Sequence, residues 1–351
     1  MRRFQLNAGL ACAIVAGLLS ACSPMPEFVD TTDYVPLSLA PANFVGVIDR
    51  RADFRAVYCV SEADDSANCS EQLRKFRDEG PALNVPAVDT ARRGDFRIAV
   101  ALGVGWDCVR ELIDEPELPL NQLRDLGFDT RLLEIEGLSG SDRNAALLFA
   151  ALEDELDDPR PLILVGYSKG ANDIIVALEQ YPQLAAHTAG FISVAGAIGG
   201  SPVADNDSGG TEQLLHFSPF GDCSEGDGLA LESLSPRVRH AWLKDNLPLP
   251  VPAYSMVTAP EPARVSRALR SPYKLLGAVH PLNDGALLHW DQLLPGSTLL
   301  GYANADHWAV SVPLDMSEVP LGNFLVTNEY DRLGLWQSML DFVIADLIAN
   351  R

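Results

Sequence analysis

Apolar positions along the chain fall into short solid runs separated by stretches of helical spacing. Arg97–Leu102 (RIAVAL), Thr130–Glu136 (TRLLEIE), Pro161–Gly166 (PLILVG) and Gly190–Val194 (GFISV) read as buried strands. Between them, Asp142–Leu156 and Ala171–Gln180 place apolar residues on one helical face. Ser141 precedes the first as a potential N-cap, and Pro182 follows the second as a stop. Tyr254–Thr258 and Ser297–Tyr302 are later strands, and Leu333–Ala349 a closing amphipathic helix. Ahead of this unit lie an apolar segment, Val45–Ile48 with Phe54–Val60, and a short helix over Glu71–Arg77. Alternating strand and helix predicts the α/β class, a mostly parallel sheet with crossover helices on its flanks. About 60 residues separate Val194 from Tyr254, more than a crossover needs. They include Leu214–Phe220 and read as a cap over roughly 200–250.

The first residues follow a different pattern. Arg2 and Arg3 precede an apolar run from Ala8 to Leu19, which is 12 residues long. A bilayer-spanning helix needs roughly 20. The run suits the hydrophobic region of a secretion signal instead. It ends in Leu19-Ser20-Ala21-Cys22, which resembles the bacterial lipobox. That resemblance implies cleavage before Cys22 and acylation of its thiol and new amino group. Ser23 follows, where Asp is the common signal for retention in the inner membrane. The expected site is therefore the periplasmic face of the outer membrane, with residues 1–21 as signal peptide and 22–44 as tether. Pro24, Pro26, Pro36 and Pro41 fit such a tether.

Charge sharpens this picture. The 351 residues carry 26 basic and 48 acidic side chains, a net −22. That balance argues against a nucleic-acid partner, which requires clustered cations. Cleavage leaves 351 less 21, or 330 residues, and the loss of two arginines takes the net charge to −24. An acidic body is not drawn to an anionic surface as a whole, so acyl chains must supply the membrane attachment.

Of six cysteines, Cys12 leaves with the signal and Cys22 is the anchor. Cys59, Cys69, Cys108 and Cys223 remain in an oxidising compartment. Four cysteines allow three pairings. The favoured one joins Cys59 to Cys69 in a short loop and Cys108 to Cys223, which would pin the cap.

The chemistry centres on Gly166-Tyr167-Ser168-Lys169-Gly170, set between a strand and a helix. Such a turn is crowded and strained, and it lifts the serine hydroxyl clear at a helix N-terminus. This strand–turn–helix resembles the nucleophile elbow of the α/β-hydrolase superfamily. The resemblance covers about Arg97 to Arg351. It extends more weakly over 45–96, where Asp49–Arg55 (DRRADFR) and Cys59 resemble a stretch in uncharacterised bacterial hydrolases. It implies one α/β-hydrolase domain over 45–351 and a chain order of serine, acid, histidine.

Six histidines exist: His187, His216, His240, His280, His289 and His307. His307 follows the last strand through a short loop, where the family places its base. Asp284, in Asn283-Asp284-Gly285, matches the family's acid turn; Asp291 and Asp306 are its rivals. The amide of Lys169 is the expected first oxyanion donor, and the Lys169 side chain is expected to pair with Asp173 four residues on. The second donor belongs to Gly103-Val104-Gly105-Trp106. If Gly103 takes the family's glycine place, Val104 donates; if Gly105 does, Trp106 donates. Trp106 is favoured, because its ring can also wall an acyl pocket.

The implied activity is carboxylic ester hydrolysis through an acyl-enzyme, on a small-molecule or lipid ester and with no cofactor. A thioesterase or acyltransferase using the same three residues is the alternative, as is a catalytically silent envelope protein. Asp205–Gly210 hints at a calcium loop, but His216 stands where a bidentate Glu belongs, so no metal is expected.

Overall fold

A computed structural model describes residues 46–61, 69, 71–109, 119–206, 224, 226–312 and 330–350. The expected signal peptide, Cys22 and the tether lie outside the described residues. So do His216, Cys223 and most of the expected cap.

In chain order the elements are β1 (Ile48–Asp49), α1 (Arg51–Ser61), β2 (Leu73–Arg74), β3 (Arg97–Ala101), α2 (Trp106–Val109) and α3 (Pro119–Asp125). Then come β4 (Asp129–Leu132), α4 (Ser141–Leu152), β5 (Leu162–Tyr167), α5 (Lys169–Gln180), α6 (Pro182–His187) and β6 (Thr188–Val194). The chain continues with α7 (Pro202–Asn206), α8 (Ala230–Ser233), α9 (Pro236–Asn246), β7 (Ala253–Thr258), α10 (Arg270–Gly277), β8 (Thr298–Ala303) and α11 (Arg332–Ala349). The strands form one eight-stranded sheet in the order β1-β8-β7-β6-β5-β3-β4, with β2 paired to β8 as well. Every pairing is parallel except β2 with β8.

The central strands are buried on both faces, which explains their solid apolar runs. One face packs on Phe54, Trp336, Phe342 and Val343 of α1 and α11. The other packs on Leu148, Ile174 and Leu178 of α4 and α5. The closing helix α11 is buried on nearly every side, where its sequence suggested an amphipathic face.

The segment expected as a helix over Glu71–Arg77 is helical only at Glu71 and Gln72. Leu73 and Arg74 pair instead with Ala303 and Tyr302 of β8. The open edge of β8 gives these two residues ladder partners, and that tertiary pairing overrides local helix propensity. The helix α4 starts at Ser141 itself, with Gly140 as N-cap and no side-chain cap bond. Cys59 and Cys69 form a disulfide. The expected Cys108–Cys223 bond lies outside the described residues. The described part of the expected cap consists of α7, α8 and α9.

The N-terminal segment is clasped by paired ions. Arg51 lies between Asp49 and Asp78, with its side chain almost fully buried. Arg55 binds Glu79 through two bonds and also donates to the carbonyls of Leu73 and Arg74. Asp53 accepts from the amides of Leu83 and Asn84 and from Arg50, which also reaches Asp346 on α11. The DRRADFR run thus ties α1 to the strap that follows β2 and to the last helix.

Candidate active site

Ser168 stands between the end of β5 and the start of α5. Its backbone has φ 55° and ψ −126°, a region that side chains rarely occupy. Crowding makes the flanking glycines necessary. A Cβ on Gly166 would sit 2.4 Å from the Ala171 Cα, and one on Gly170 would sit 2.3 Å from the Ala101 carbonyl oxygen. The turn is held by the Ser168 amide, which donates to the Val194 carbonyl at 3.1 Å, and by the Ser168 carbonyl, which accepts from the Ala197 amide at 3.0 Å.

The hydroxyl of Ser168 lies 2.8 Å from His307 Nε2. His307 Nδ1 lies 2.8 Å from Asp284 Oδ2. All three side chains are buried. The loop after β8 is fixed at both ends of His307: its amide donates to the Asp284 carbonyl, and its carbonyl accepts from the Tyr167 hydroxyl at 2.6 Å. The sequence-derived trio therefore comes together from three separate loops at the C-terminal ends of the strands, where open α/β sheets bind ligands.

Asp284 is fully buried and well bonded. Oδ1 accepts from the amides of Ala286 and Leu287 at 2.9 and 2.7 Å. Oδ2 accepts from His307, from the Thr258 hydroxyl at 2.6 Å and from Gln292 Nε2 at 3.3 Å. Thr258 and Gln292 carried no motif in the sequence. Thr258 ends β7, and that position at a strand terminus was its one available signal.

The rival acids serve elsewhere. Asp306 accepts from the amides of Trp308 and Ala309 and from that of Ser266, which shapes the His307 loop; burial pushes its carboxyl up. Asp291 faces Gly199 and approaches His240 at 4.0 Å, and burial raises its pKa to about 7. The other described histidines lie apart from Ser168. His187 ends α6, and His240 is on α9. His280 and His289 pack against Trp290 at tilted and edge-on angles, and burial lowers His289 to about 3.

Lys169 pairs with Asp173 as expected, at 2.7 and 2.9 Å, with both side chains buried. Asn144 adds a third bond to Asp173, joining α4 to α5. The Lys169 side chain is thereby committed inward, while its amide opens α5 without a helical acceptor.

Across from it, Gly103 is pressed against Ser168: a Cβ there would lie 2.8 Å from Ser168 Cβ. In the turn that follows, the Gly105 amide donates to Gly137 and the Trp106 amide donates back to Gly103 at 3.4 Å. The Val104 amide has no such partner among the described residues. The favoured donor, Trp106, thus has its amide engaged in the turn, whereas its ring does wall the pocket.

That pocket has a volume of about 370 Å³ and includes Ser168 and His307 in its wall. Trp106, Val203, Leu231, Leu234, Leu287 and Trp308 supply much of the rest, and no charged carboxylate, lysine or arginine lines it among the described residues.

No protein-family model and no curated protein sequence matches the chain. Solved structures do. The crystal structure of the metagenomic carboxyl esterase MGS0156 is 32% identical, over 95% of this chain and 99% of that one, with a TM-score of 0.79. The chain belongs to the α/β-hydrolase superfamily. The mature form of the Bacillus licheniformis lipase BlEst2 shares the fold at 19% identity, over 70% of this chain and 91% of that one, with a TM-score of 0.51. Here the elbow residue Ser168, His307 after β8 and Asp284 before it meet in one hydrogen-bonded line.

Proposed function

We propose that this protein hydrolyses carboxylic esters with apolar acyl groups through an acyl-enzyme. The carrying observation is the line Asp284–His307–Ser168 ending at the wall of an uncharged apolar pocket. The resemblance to a carboxyl esterase over nearly the whole chain supports the same reading.

On this reading His307 Nε2 takes the Ser168 proton as Oγ attacks the ester carbonyl carbon. Asp284 holds the imidazole tautomer and stabilises the imidazolium. The oxyanion is held by the amides of Lys169 and Val104, the latter preferred to Trp106 because its N–H is not spent in the turn. Collapse expels the alcohol, which takes the proton from His307. A water then gives its proton to His307 and attacks the acyl carbon. The second collapse frees the acid and restores the Ser168 hydroxyl.

The pocket sits near the lower end of the usual range of about 300–1,000 Å³ for ligand sites. That size favours short or medium acyl chains. A series of p-nitrophenyl esters tests this: kcat/KM should peak at a short or medium chain, and a steady rise through the longest chains would overturn it. Activity on thioesters alone would move the assignment to a thioesterase.

The same proposal places the enzyme at the cell envelope through Cys22. Among the described residues no helix is long and apolar enough to cross a membrane. Labelled palmitate should enter wild-type protein and not Cys22→Ala.

A further inference from the structure

The chain is strongly acidic, yet one stretch reverses the sign. Between Ala259 and His280 stand Arg264, Arg267, Arg270 and Lys274, against the single acid Glu261. This stretch contains α10, whose two faces differ. Tyr273 and Leu276 point into the protein, and neighbouring Leu269 and Pro272 line the substrate pocket. The outward side carries Ser271, Lys274, Leu275, Ala278 and Val279. Leu275 is 48% exposed and Val279 61%, the latter one turn on from the former.

Among the described residues, none of those on that outward side is a carboxylate. Among the described residues neither Arg270 nor Lys274 has an ion-pair partner, and Arg270 Nε is buried without a hydrogen bond. Two aliphatic side chains beside unpaired cations, on a short helix that backs the pocket, match the composition of an interfacial membrane-binding face. A second copy of the chain is a poor occupant, because the like-charged stretches would oppose each other.

We propose that the outer face of α10, with Val279, seats on an anionic phospholipid surface. Lys274 lies toward the headgroups with the partly buried Arg270 one turn behind it, and Leu275 and Val279 enter the acyl boundary. The body of the protein is repelled by such a surface, so this stretch also sets which side faces the lipid. The pocket wall built from Leu269 and Pro272 is thereby brought next to it. The inference does not depend on ester hydrolysis, since the face is separate from Ser168.

Hydrogen–deuterium exchange tests it on the full chain carrying Ser168→Ala, which consumes no lipid. The protein is mixed with vesicles of phosphatidylcholine alone or of phosphatidylcholine with phosphatidylglycerol. Both hold the N-terminus alike, so any anchor cancels. Amides over residues 274–280 should exchange more slowly with the anionic vesicles only, whose affinity should rise on the order of fivefold per cation engaged. Lys274→Glu combined with Val279→Asp should remove that protection. The same double substitution in the Ser168 background should leave turnover of a soluble ester unchanged, which verifies its fold. Equal exchange with both vesicle types, or protection that survives the double substitution, would overturn the proposal.

Discussion

Two regions of the molecule hold acidic side chains in bonded networks and use them differently. In the N-terminal clasp each acid meets arginine: Asp49 and Asp78 flank Arg51, and Glu79 takes Arg55. At the C-terminal ends of the strands, Asp284 meets no arginine. It is held by two amides, a hydroxyl, an amide side chain and one imidazole. A guanidinium would neutralise the carboxylate and leave nothing to stabilise a protonated His307. Dipolar donors hold the carboxyl group with no competing cation, which on the proposed reading leaves it to the imidazole. On the proposed reading the clasp serves stability and the strand-end network proton transfer, so substitutions in the two should separate these quantities.

The largest effects belong to the strand ends. Ser168→Ala should lower ester kcat by about 10⁴-fold or more, with thermal unfolding unchanged. Asp284→Asn should cost about 10⁴-fold, because the amide favours the wrong tautomer of His307. Steady-state kinetics with a p-nitrophenyl ester reads both. In the clasp, Arg51→Met should leave kcat intact at low temperature while lowering stability. A fully buried pair broken from one side costs about 3–5 kcal/mol, and Asp49 and Asp78 are about a third exposed, so roughly 2 kcal/mol is expected by urea unfolding. A large kcat loss in that variant would dissolve the separation.

Smaller effects sharpen it. Thr258→Val removes one bond to Asp284 and should reduce kcat about tenfold with little change in KM. Asp291 offers a pH test outside both networks. Burial raises its folded pKa from 3.8 to about 7. Between those values the unfolded chain ionises it while the folded protein keeps it protonated. Stability should thus fall as pH rises from about 4 to 7 and level off above. Asp291→Asn should flatten that part of the melting-temperature profile; an unchanged slope would assign the dependence to other groups.

Ser168 and His307 were readable in the sequence as the proposed nucleophile and base because each sits in a local frame. Gly166 and Gly170 bracket Ser168 between an apolar run and a helix, and His307 follows the last run directly. Asp284 was readable from its Asn-Asp-Gly turn together with chain order, which set it above Asp291 and Asp306. The Cys59–Cys69 disulfide was readable from a short spacing.

Other features depend on partners far along the chain. Leu73–Arg74 became a strand because β8 had an edge to fill, 230 residues later by register with Ala303. Thr258 and Gln292 act only through Asp284, and neither has a local signature. The choice between Val104 and Trp106 turned on a backbone turn whose bonds, to Gly103 and Gly137, cannot be read from residue types.

The central claim is that Ser168 is an activated nucleophile. Incubation with a fluorophosphonate, followed by peptide mass mapping, tests it most directly. The account predicts one adduct, on Ser168, formed by the wild type and absent or greatly slowed in His307→Ala. Intact wild-type protein that stays unlabelled, or that carries its adduct on another residue, would contradict it.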